Sequence, residues 1–277
     1  MWQEDRRRGF SQSHTLFRPG HRLRDMSKAT LYSLPGSHPA KGVALMLDFK
    51  GIDYRTIDLM PLLHKGVVRA AGFPGTTVPA LKFNGEKIQN SVDIARALDR
   101  IVPEPPLLPA DEEARKKVLM AEAFGEAELQ HAVRQILWNA VRRQPRSIAT
   151  FLEGSSLPLP QPVAAYTSGP IIWGEYKVND STDENVKSNL AALPEWLDRL
   201  DAWVEDGTLG GDTPNAADFQ VMTSIGLLMT LQDLRPLVAD RPIGKAAMKV
   251  VPDYAGDVPP ALPAEWLAPL RQQAAAV

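Results

Sequence analysis

The stretch of sequence that decides the fold is residues 30–54, TLYSLPGSHPAKGVALMLDFKGIDY. A short apolar run at its start is broken by Pro35 and Gly36, and beyond them apolar residues recur at helical spacing. Gly51 ends this predicted helix, because glycine readily takes the left-handed conformation, and a second strand follows. The unit is strand, turn, helix and strand, with the hydroxyl of Ser37 at a helix N-terminus, where backbone N–H groups favour negative charge.

Downstream of this unit, the sequence predicts the rest of a small mixed sheet. Residues 76–83 form a strand-like run, and Asn84-Gly85 is the dipeptide most typical of a hairpin turn. After the hairpin, Ser91 is placed as the N-cap of another helix. We therefore predict an α/β domain over residues 29–102.

The sequence of the second half of the chain predicts helices joined by proline-rich segments. Its clearest signal is a buried helix that begins with a capping box at Asn215 and Asp218. A long helix is predicted from Asp111 to about Arg143. The predicted segments after the α/β domain are a linker at 103–110, an all-helical domain at 111–249 with an irregular insert at 144–183, and a proline-rich tail at 250–277. Short helices that could form a lid are expected in the insert.

The composition of the 277-residue chain excludes several functions. There is no cysteine, which excludes disulfides, thiolate zinc sites, a cysteine nucleophile and disulfide reduction through a protein thiol. A net charge of −2 predicts no nucleic-acid partner, and the absence of an apolar run of roughly 18–20 residues predicts no membrane partner. The histidines lack the spacing of metal ligands, so we predict no metal.

Residues 1–28 differ in composition from the rest of the chain. They are rich in arginine and have no apolar periodicity, so we predict a disordered N-terminal extension. The alternatives are a transit peptide and a basic arm that binds an acidic partner.

Four motifs, in their order and spacing, resemble the glutathione S-transferase superfamily, and in particular its theta-like, serine-type members. The motifs are Ser37-His-Pro-Ala-Lys-Gly-Val43 with Lys50-Gly51, Thr77-Val-Pro-Ala-Leu81, Asn90-Ser91, and Asn215-Ala-Ala-Asp218. The resemblance covers about residues 29–254. It implies an α/β plus all-α fold, with an N-terminal thioredoxin-like domain followed by a helical C-terminal domain.

The resemblance also implies an activity. Glutathione, or a related low-molecular-weight thiol such as mycothiol, would be conjugated as co-substrate to a hydrophobic small-molecule electrophile, in a detoxifying, cytoplasmic homodimer. The thiol supplies the nucleophile, so the protein has to stabilise its thiolate. Lowering a thiol pKa of about 8.5 by ~2 units takes roughly 2.7 kcal/mol.

By the same resemblance, Ser37 is the expected thiolate-stabilising residue, with Ser33 and Tyr32 at the end of the first strand as alternatives. Residues expected to hold the thiol are Val78, Pro79 (in a cis peptide bond), Asn90, Ser91, His64 and Lys65. Residues expected to line the electrophile pocket, or alternatively to form a solvated helix face, are Gln130, His131 and Arg134. His38 is expected to be exposed in the first turn of its helix; the alternative is a base that acts through the neighbouring Ser37.

Two departures from the family pattern motivate a second hypothesis. Asn90 stands where most members carry Glu or Asp, and Thr77 stands where many carry Lys or Gln. A non-catalytic binding or scaffold protein with the same fold is therefore the alternative function, and use of a thiol other than glutathione is a third.

Overall fold

The computed structural model describes residues 29–157 and 159–274. The extension predicted at 1–28 lies outside the described residues. The first domain comprises β1 (Ala29–Ser33), α1 (His38–Phe49), β2 (Tyr54–Asp58), α2 (His64–Ala70), β3 (Ala80–Phe83), β4 (Glu86–Gln89) and α3 (Ser91–Ile101). Its sheet has the order β2-β1-β3-β4, with β1 and β2 parallel and the other two pairings antiparallel.

The hairpin and the proline turn of this domain agree with the sequence prediction. Asn84 and Gly85 both have positive φ, 48° and 83°, as a tight hairpin turn requires. The Val78–Pro79 peptide bond is cis, which confirms that prediction. The mixed sheet with its helices therefore confirms the thioredoxin-like fold of the first domain.

The second domain is helical. Its helices are α4 (Glu112–Phe124), α5 (Gln130–Arg143), α6 (Gln161–Thr167), α7 (Gly169–Val178), α8 (Asp183–Glu205), α9 (Ala216–Met229), α10 (Arg235–Val238), α11 (Pro242–Val250) and α12 (Ala268–Ala274). A π-helical segment, Gly125–Leu129, joins α4 to α5, and 3₁₀ turns occupy Pro145–Leu152 and Ala264–Leu267. Among the described residues, no helix is both long and apolar enough to cross a membrane.

Helix α9 is the centre of the second domain. Every residue of Ala216–Met229 is buried, and the predicted capping box between Asn215 and Asp218 is present. The helix also packs closely on α1, since a Cβ added to Gly42 would lie 2.7 Å from the carbonyl oxygen of Phe219. The start of α1, and with it Ser37, is thus positioned by the helical domain as well as by the sheet.

The insert contains short helices, as the sequence predicted, and the described part of the tail belongs to the helical domain. The insert at 144–183 folds into a 3₁₀ turn followed by α6 and α7. The described part of the tail packs back on the helical domain: Val258 pairs with Leu231 in a β-bridge, and Trp266 and Leu267 are buried. The helical unit therefore continues well beyond residue 249.

Candidate functional site

A cavity of about 430 Å³ lies where the two domains meet. The first domain contributes the turn before α1, the segment that leads into α2, and the residues before the cis proline. The second domain contributes one face of α5 and much of the insert. The cavity therefore combines the side predicted for the thiol with a wall built by α5, where the electrophile pocket was expected, and by the insert.

Ser37 lines this cavity at the N-terminus of α1. Its Oγ accepts a hydrogen bond from the backbone N–H of Ala40 at 3.4 Å, as an N-cap does. Gly36 precedes it with φ of 74°, a left-handed conformation that glycine adopts without strain. Because capping uses the oxygen as an acceptor, the hydroxyl proton of Ser37 can still be donated to a ligand.

The two alternatives to Ser37 do not line the cavity. Ser33 is buried at the end of β1, and its Oγ donates to the carbonyl of Leu34 at 3.2 Å. The ring of Tyr32 packs edge-on against Phe73, with centroids 5.4 Å apart. The geometry thus places one of the three candidate hydroxyls in the cavity.

Among the residues predicted to hold the thiol, Val78, His64 and Lys65 line the cavity. Pro79 does not line it, although its carbonyl oxygen accepts from the backbone N–H of Asn90 at 3.2 Å. Burial, and secondarily the charge of Lys65, lower the pKa of His64. Nδ1 of His64 is buried and has no hydrogen-bond partner among the described residues.

The expectation for Asn90 and Ser91 needs correction. The N-cap of α3 is Asn90, whose Oδ1 accepts from the N–H groups of Val92 and Asp93, so the prediction that Ser91 caps the helix was wrong. The hydroxyl of Ser91 instead donates to Oε1 of Gln220 at 2.9 Å in a buried contact. Neither residue lines the cavity, since Asn90 is exposed at the start of α3 and Ser91 is buried against Gln220 of α9.

Of the three residues expected in the electrophile pocket, Arg134 alone lines the cavity. Gln130 is buried away from it, and His131 is exposed on the surface. Gln130 and His131 lie about one turn before Arg134 on the same side of α5, toward the N-terminus of the helix, and this first turn does not line the cavity.

His38 lines the cavity and is buried, so the expectation that it is exposed was wrong. Its Nδ1 lies 3.2 Å from Oγ of Ser224 on α9, and its Nε2 has no partner within the described part of the chain. Because the Ser224 hydroxyl donates to the carbonyl of Gln220, we assign the proton of the neutral ring to Nδ1. Burial, with a smaller effect of Arg134, holds the pKa of His38 well below its usual value.

Glu175 is a cavity residue that sequence reasoning missed. It comes from α7 of the insert and accepts a hydrogen bond from Nδ2 of Asn179 at 3.2 Å. Burial raises its pKa, although Asn179 and the charges of Lys65 and Arg134 act in the opposite direction. No sequence signal identified it, because the insert has no motif to place α7 against the first domain.

The cavity lining includes both polar or charged residues and a large set of apolar residues. Ser37, His38, His64 and Lys65 gather at the first-domain side, whereas Trp138, Val141 and Phe151 are among the apolar residues of the helical side. Among the residues that the structure describes, no group of three or more histidine, aspartate or glutamate side chains could hold a metal ion. The arrangement suits a small molecule with a polar, partly anionic portion and an apolar portion.

Comparison with known proteins links this geometry to one superfamily. Residues 31–106 match the family model for the glutathione S-transferase N-terminal domain. A search of curated proteins finds no match. The sequence of the first domain thus carries the signature of that domain, over the stretch that contains Ser37 and the cis proline.

Solved structures share the fold of the whole described chain. A glutathione S-transferase from Rhodospirillum rubrum F11 aligns with a TM-score of 0.53 at 18% identity, covering 86% of this chain and 98% of that one. A second glutathione S-transferase, from Sinorhizobium meliloti 1021, aligns with a TM-score of 0.53 at 17% identity, covering 88% of this chain and 99% of that one. An epsilon-class glutathione S-transferase from housefly, Musca domestica, aligns with a TM-score of 0.52 at 20% identity, covering 90% of this chain and 96% of that one. The chain therefore has the glutathione S-transferase fold.

Proposed function

We propose that this protein is a serine-type transferase that conjugates glutathione, or a related low-molecular-weight thiol, to hydrophobic electrophiles. The observation that carries the proposal is the position of Ser37, at a helix N-terminus and in the lining of a cavity that has both polar and apolar residues. Val78, beside the cis proline, lines the same cavity and is available to the thiol. The serine-type, theta-like assignment rests on the Ser37 motif.

The proposed role of Ser37 is to donate a hydrogen bond to the thiolate. A charge-assisted hydrogen bond and the partial positive charge of a helix N-terminus together provide about 2–3 kcal/mol. That matches the roughly 2.7 kcal/mol needed to lower a thiol pKa by ~2 units. The protein needs no nucleophile of its own, which agrees with the absence of cysteine.

Replacing Ser37 with alanine tests this role. We expect S37A to lower kcat/KM for a chlorodinitrobenzene by about ten- to a hundredfold, and to raise the pKa of the bound thiol, because the donor to sulfur is lost. Ser33→Ala is the matched control, since Ser33 lies outside the cavity, and we expect it to keep the wild-type rate. An unchanged thiol pKa in S37A, or a loss confined to S33A, would overturn the assignment.

A second candidate function follows from Asn90 and Ser91. Their polar groups are occupied by the α3 backbone, Glu126 and Gln220, and are therefore poorly placed to hold a glutathione carboxylate. This favours a different thiol, such as mycothiol, or a binding protein without catalysis. Calorimetry with each thiol, alongside the aryl halide assay, separates the candidates: binding without turnover indicates the binding protein, and turnover with one thiol identifies the co-substrate.

We also infer that the protein is a homodimer that acts in the cytoplasm, where low-molecular-weight thiols are kept reduced. Leu119 and Met120 on α4 are large apolar side chains exposed to solvent, as expected of a surface that a second copy covers. Light scattering of the wild type and of Met120→Glu tests the dimer. A monomeric wild type would contradict it.

A further inference from the structure

One face of α5 changes from charged to apolar along the cavity. Arg134, Leu137, Trp138 and Val141 all line it, at the i, i+3, i+4 and i+7 positions of one helical stripe. The guanidinium is therefore followed, one and two turns along, by a continuous apolar surface. A ligand that lies along this stripe meets a cation at one end and hydrocarbon over the rest of its length.

Arg134 has no partner in the described part of the chain that would occupy its charge. Within residues 29–157 and 159–274, no ion pair within 4 Å and no hydrogen bond involves the Arg134 side chain, and its Nε is buried without an acceptor. Burial lowers its pKa, while the charge of Glu175 acts in the opposite direction. A buried donor of this kind is costly to leave unsatisfied, and an anionic acceptor satisfies it best.

The other charged groups at the cavity leave room for an anion. Lys65 is a second cation in the cavity lining, and Glu175 is a carboxylate there. Burial lowers the pKa values of the two lining histidines, His38 and His64, and so favours their neutral forms. Glu175 is bound by Asn179 and lies beyond ion-pair distance of Arg134. The guanidinium thus keeps its charge and its donors for a ligand.

The apolar part of the lining opposite α5 is built by the insert. Ile148, Phe151, Leu157 and Ile171 line the cavity there, and Leu62 of the first domain packs against Gly174 of α7. The insert encloses this part of the cavity from the side facing α5. An aromatic or aliphatic body fits between these walls while its polar end remains near Arg134.

From these contacts we propose that the electrophile is an amphipathic carboxylic acid, whose carboxylate binds Arg134 and whose apolar body lies along Leu137, Trp138 and Val141. This inference rests on the proposed transferase function. Arg134 is assigned to the electrophile because it belongs to the same helical stripe as the apolar wall, whereas Ser37, Val78 and Lys65 on the thiol side come from the first domain.

A pair of aryl chlorides that differ in one charge tests the proposal. In both, the thiolate sulfur bonds to the chlorine-bearing ring carbon, chloride leaves with the bonding electron pair, and the thiol proton is released to water. The two compounds are para-chloro-meta-nitrobenzoate and its methyl ester. Each enzymatic rate is divided by the uncatalysed rate of the same compound with the same thiol, which corrects for their different intrinsic reactivity. We expect the wild type to prefer the acid by about ten- to a hundredfold in kcat/KM.

Arg134→Met should abolish that preference by raising KM for the acid, with KM for the thiol and the ester rate unchanged. Arg142→Met is the matched control, because Arg142 is exposed on the same helix, outside the cavity. Glu175→Gln should increase the preference for the acid several-fold, since it removes the opposing charge. A rise in the thiol KM of R134M, or equal losses for acid and ester, would overturn the proposal.

A binding measurement separates failure of this inference from failure of the proposed function. Para-nitrobenzoate has no leaving group, so calorimetry reports its binding even if the protein conjugates nothing. We expect R134M to weaken its binding about ten- to a hundredfold and R142M to leave it unchanged. Turnover of the ester without preference for the acid would support the proposed transferase function and contradict the inference that the electrophile is a carboxylic acid.

Discussion

At the scale of single residues, Lys50 ties the end of α1 to α3 and to the linker that follows the first domain. Its Nζ donates to the carbonyl oxygens of Val102 and Pro105 at 2.7 and 2.8 Å, and lies 2.8 Å from Oδ1 of Asp99. The ammonium group is fully buried and thus fixes the start of the linker against the end of α1. The sequence motif contained this lysine, but its spacing gave no sign that the partners would be linker carbonyls.

Lys50→Met is expected to destabilise the protein by about 3 kcal/mol, because it leaves Asp99 and two carbonyl groups without their buried partner. The measurement is urea denaturation at neutral pH. Lys82→Met is the control, since Lys82 is exposed on β3, and we expect it to change stability by less than about 0.5 kcal/mol. Equal midpoints for the two variants would contradict the role of Lys50.

The buried cap residue Asp218 makes stability depend on pH. Burial raises its pKa to about 6 from 3.8, despite hydrogen bonds from Gly210 and Asn215 that lower it. Between those two values the folded chain holds a proton that the unfolded chain has lost. The contribution of Asp218 to the free energy of unfolding therefore falls as pH rises from about 4 to about 6, and is constant above that range.

We expect Asp218→Asn to remove this dependence, so that the stability difference between wild type and variant narrows by about 3 kcal/mol as pH rises from about 4 to about 7. Asp206→Asn provides a contrast of opposite sign, because the Thr208 hydroxyl and Lys117 lower the pKa of Asp206 to about 2. The contribution of Asp206 to the free energy of unfolding is present above about pH 4 and is lost as pH falls toward 2. Urea titrations across pH 2–8 measure the free energy of unfolding of each variant and test both predictions. If this free energy depended on pH in the same way in D218N and in the wild type, the prediction for Asp218 would be contradicted.

At the scale of elements, the contact between α1 and α9 positions the thiol side of the cavity. Gly42 allows it, because the Phe219 carbonyl occupies the space that a Cβ would need. We expect Gly42→Ala to cost about 1–3 kcal/mol and to lower activity, since α1 carries Ser37 at its start. Thermal denaturation and the conjugation assay measure both effects.

Gly66→Ala is the matched control on another helix of the same domain. Gly66 lies within α2, and a Cβ there would meet nothing within 4 Å. The substitution is therefore expected to stabilise the protein by about 0.5–1 kcal/mol through helix propensity. If both glycine variants shifted the melting temperature in the same direction, the argument for close packing at Gly42 would fail.

The elements themselves could largely be predicted from sequence, because periodicity and turn residues are local signals. The capping box at Asn215, the hairpin at Asn84 and the helix start at Ser37 all have the predicted geometry. The cap of α3 was misplaced by one residue, since Asn and Ser are both good caps. Asn90 is the cap because its Oδ1 accepts from two backbone N–H groups, whereas the Ser91 hydroxyl is bound to Gln220, a partner that local sequence does not reveal.

At the scale of the whole molecule, the cavity could not be predicted, because it depends on where the insert and the tail pack. Residues of the insert supply Glu175 and much of the apolar wall, and no local pattern ties them to the first domain. Burial of His38 has the same origin, since Ser224 reaches it from 186 positions along the chain. Several residues expected from the sequence nevertheless line the cavity, namely Ser37, His64, Lys65, Val78 and Arg134. The insert residues that enclose them were not foreseen.

The tail reaches the thiol side of the cavity through Tyr254. Its hydroxyl donates to the carbonyl oxygen of Gly36 at 2.9 Å, and its ring lies against Gly226 of α9. We expect Tyr254→Phe to lower stability by about 1 kcal/mol and to lower kcat/KM several-fold, because the turn before Ser37 loses a fixed partner. Tyr166→Phe, at an exposed position, is the control. Unchanged kinetics in Y254F would show that the turn holds its shape without this bond.

This bond also imposes an order on biosynthesis. A chain leaves the ribosome from its N-terminus, and domains generally fold as they emerge. The sheet and α1 can form early, but the turn before Ser37 acquires its Tyr254 partner only after more than two hundred further residues have been translated. A nascent or prematurely terminated chain that lacks Tyr254 would thus hold the serine in a loosely anchored turn, and the site is completed only after Tyr254 has been translated.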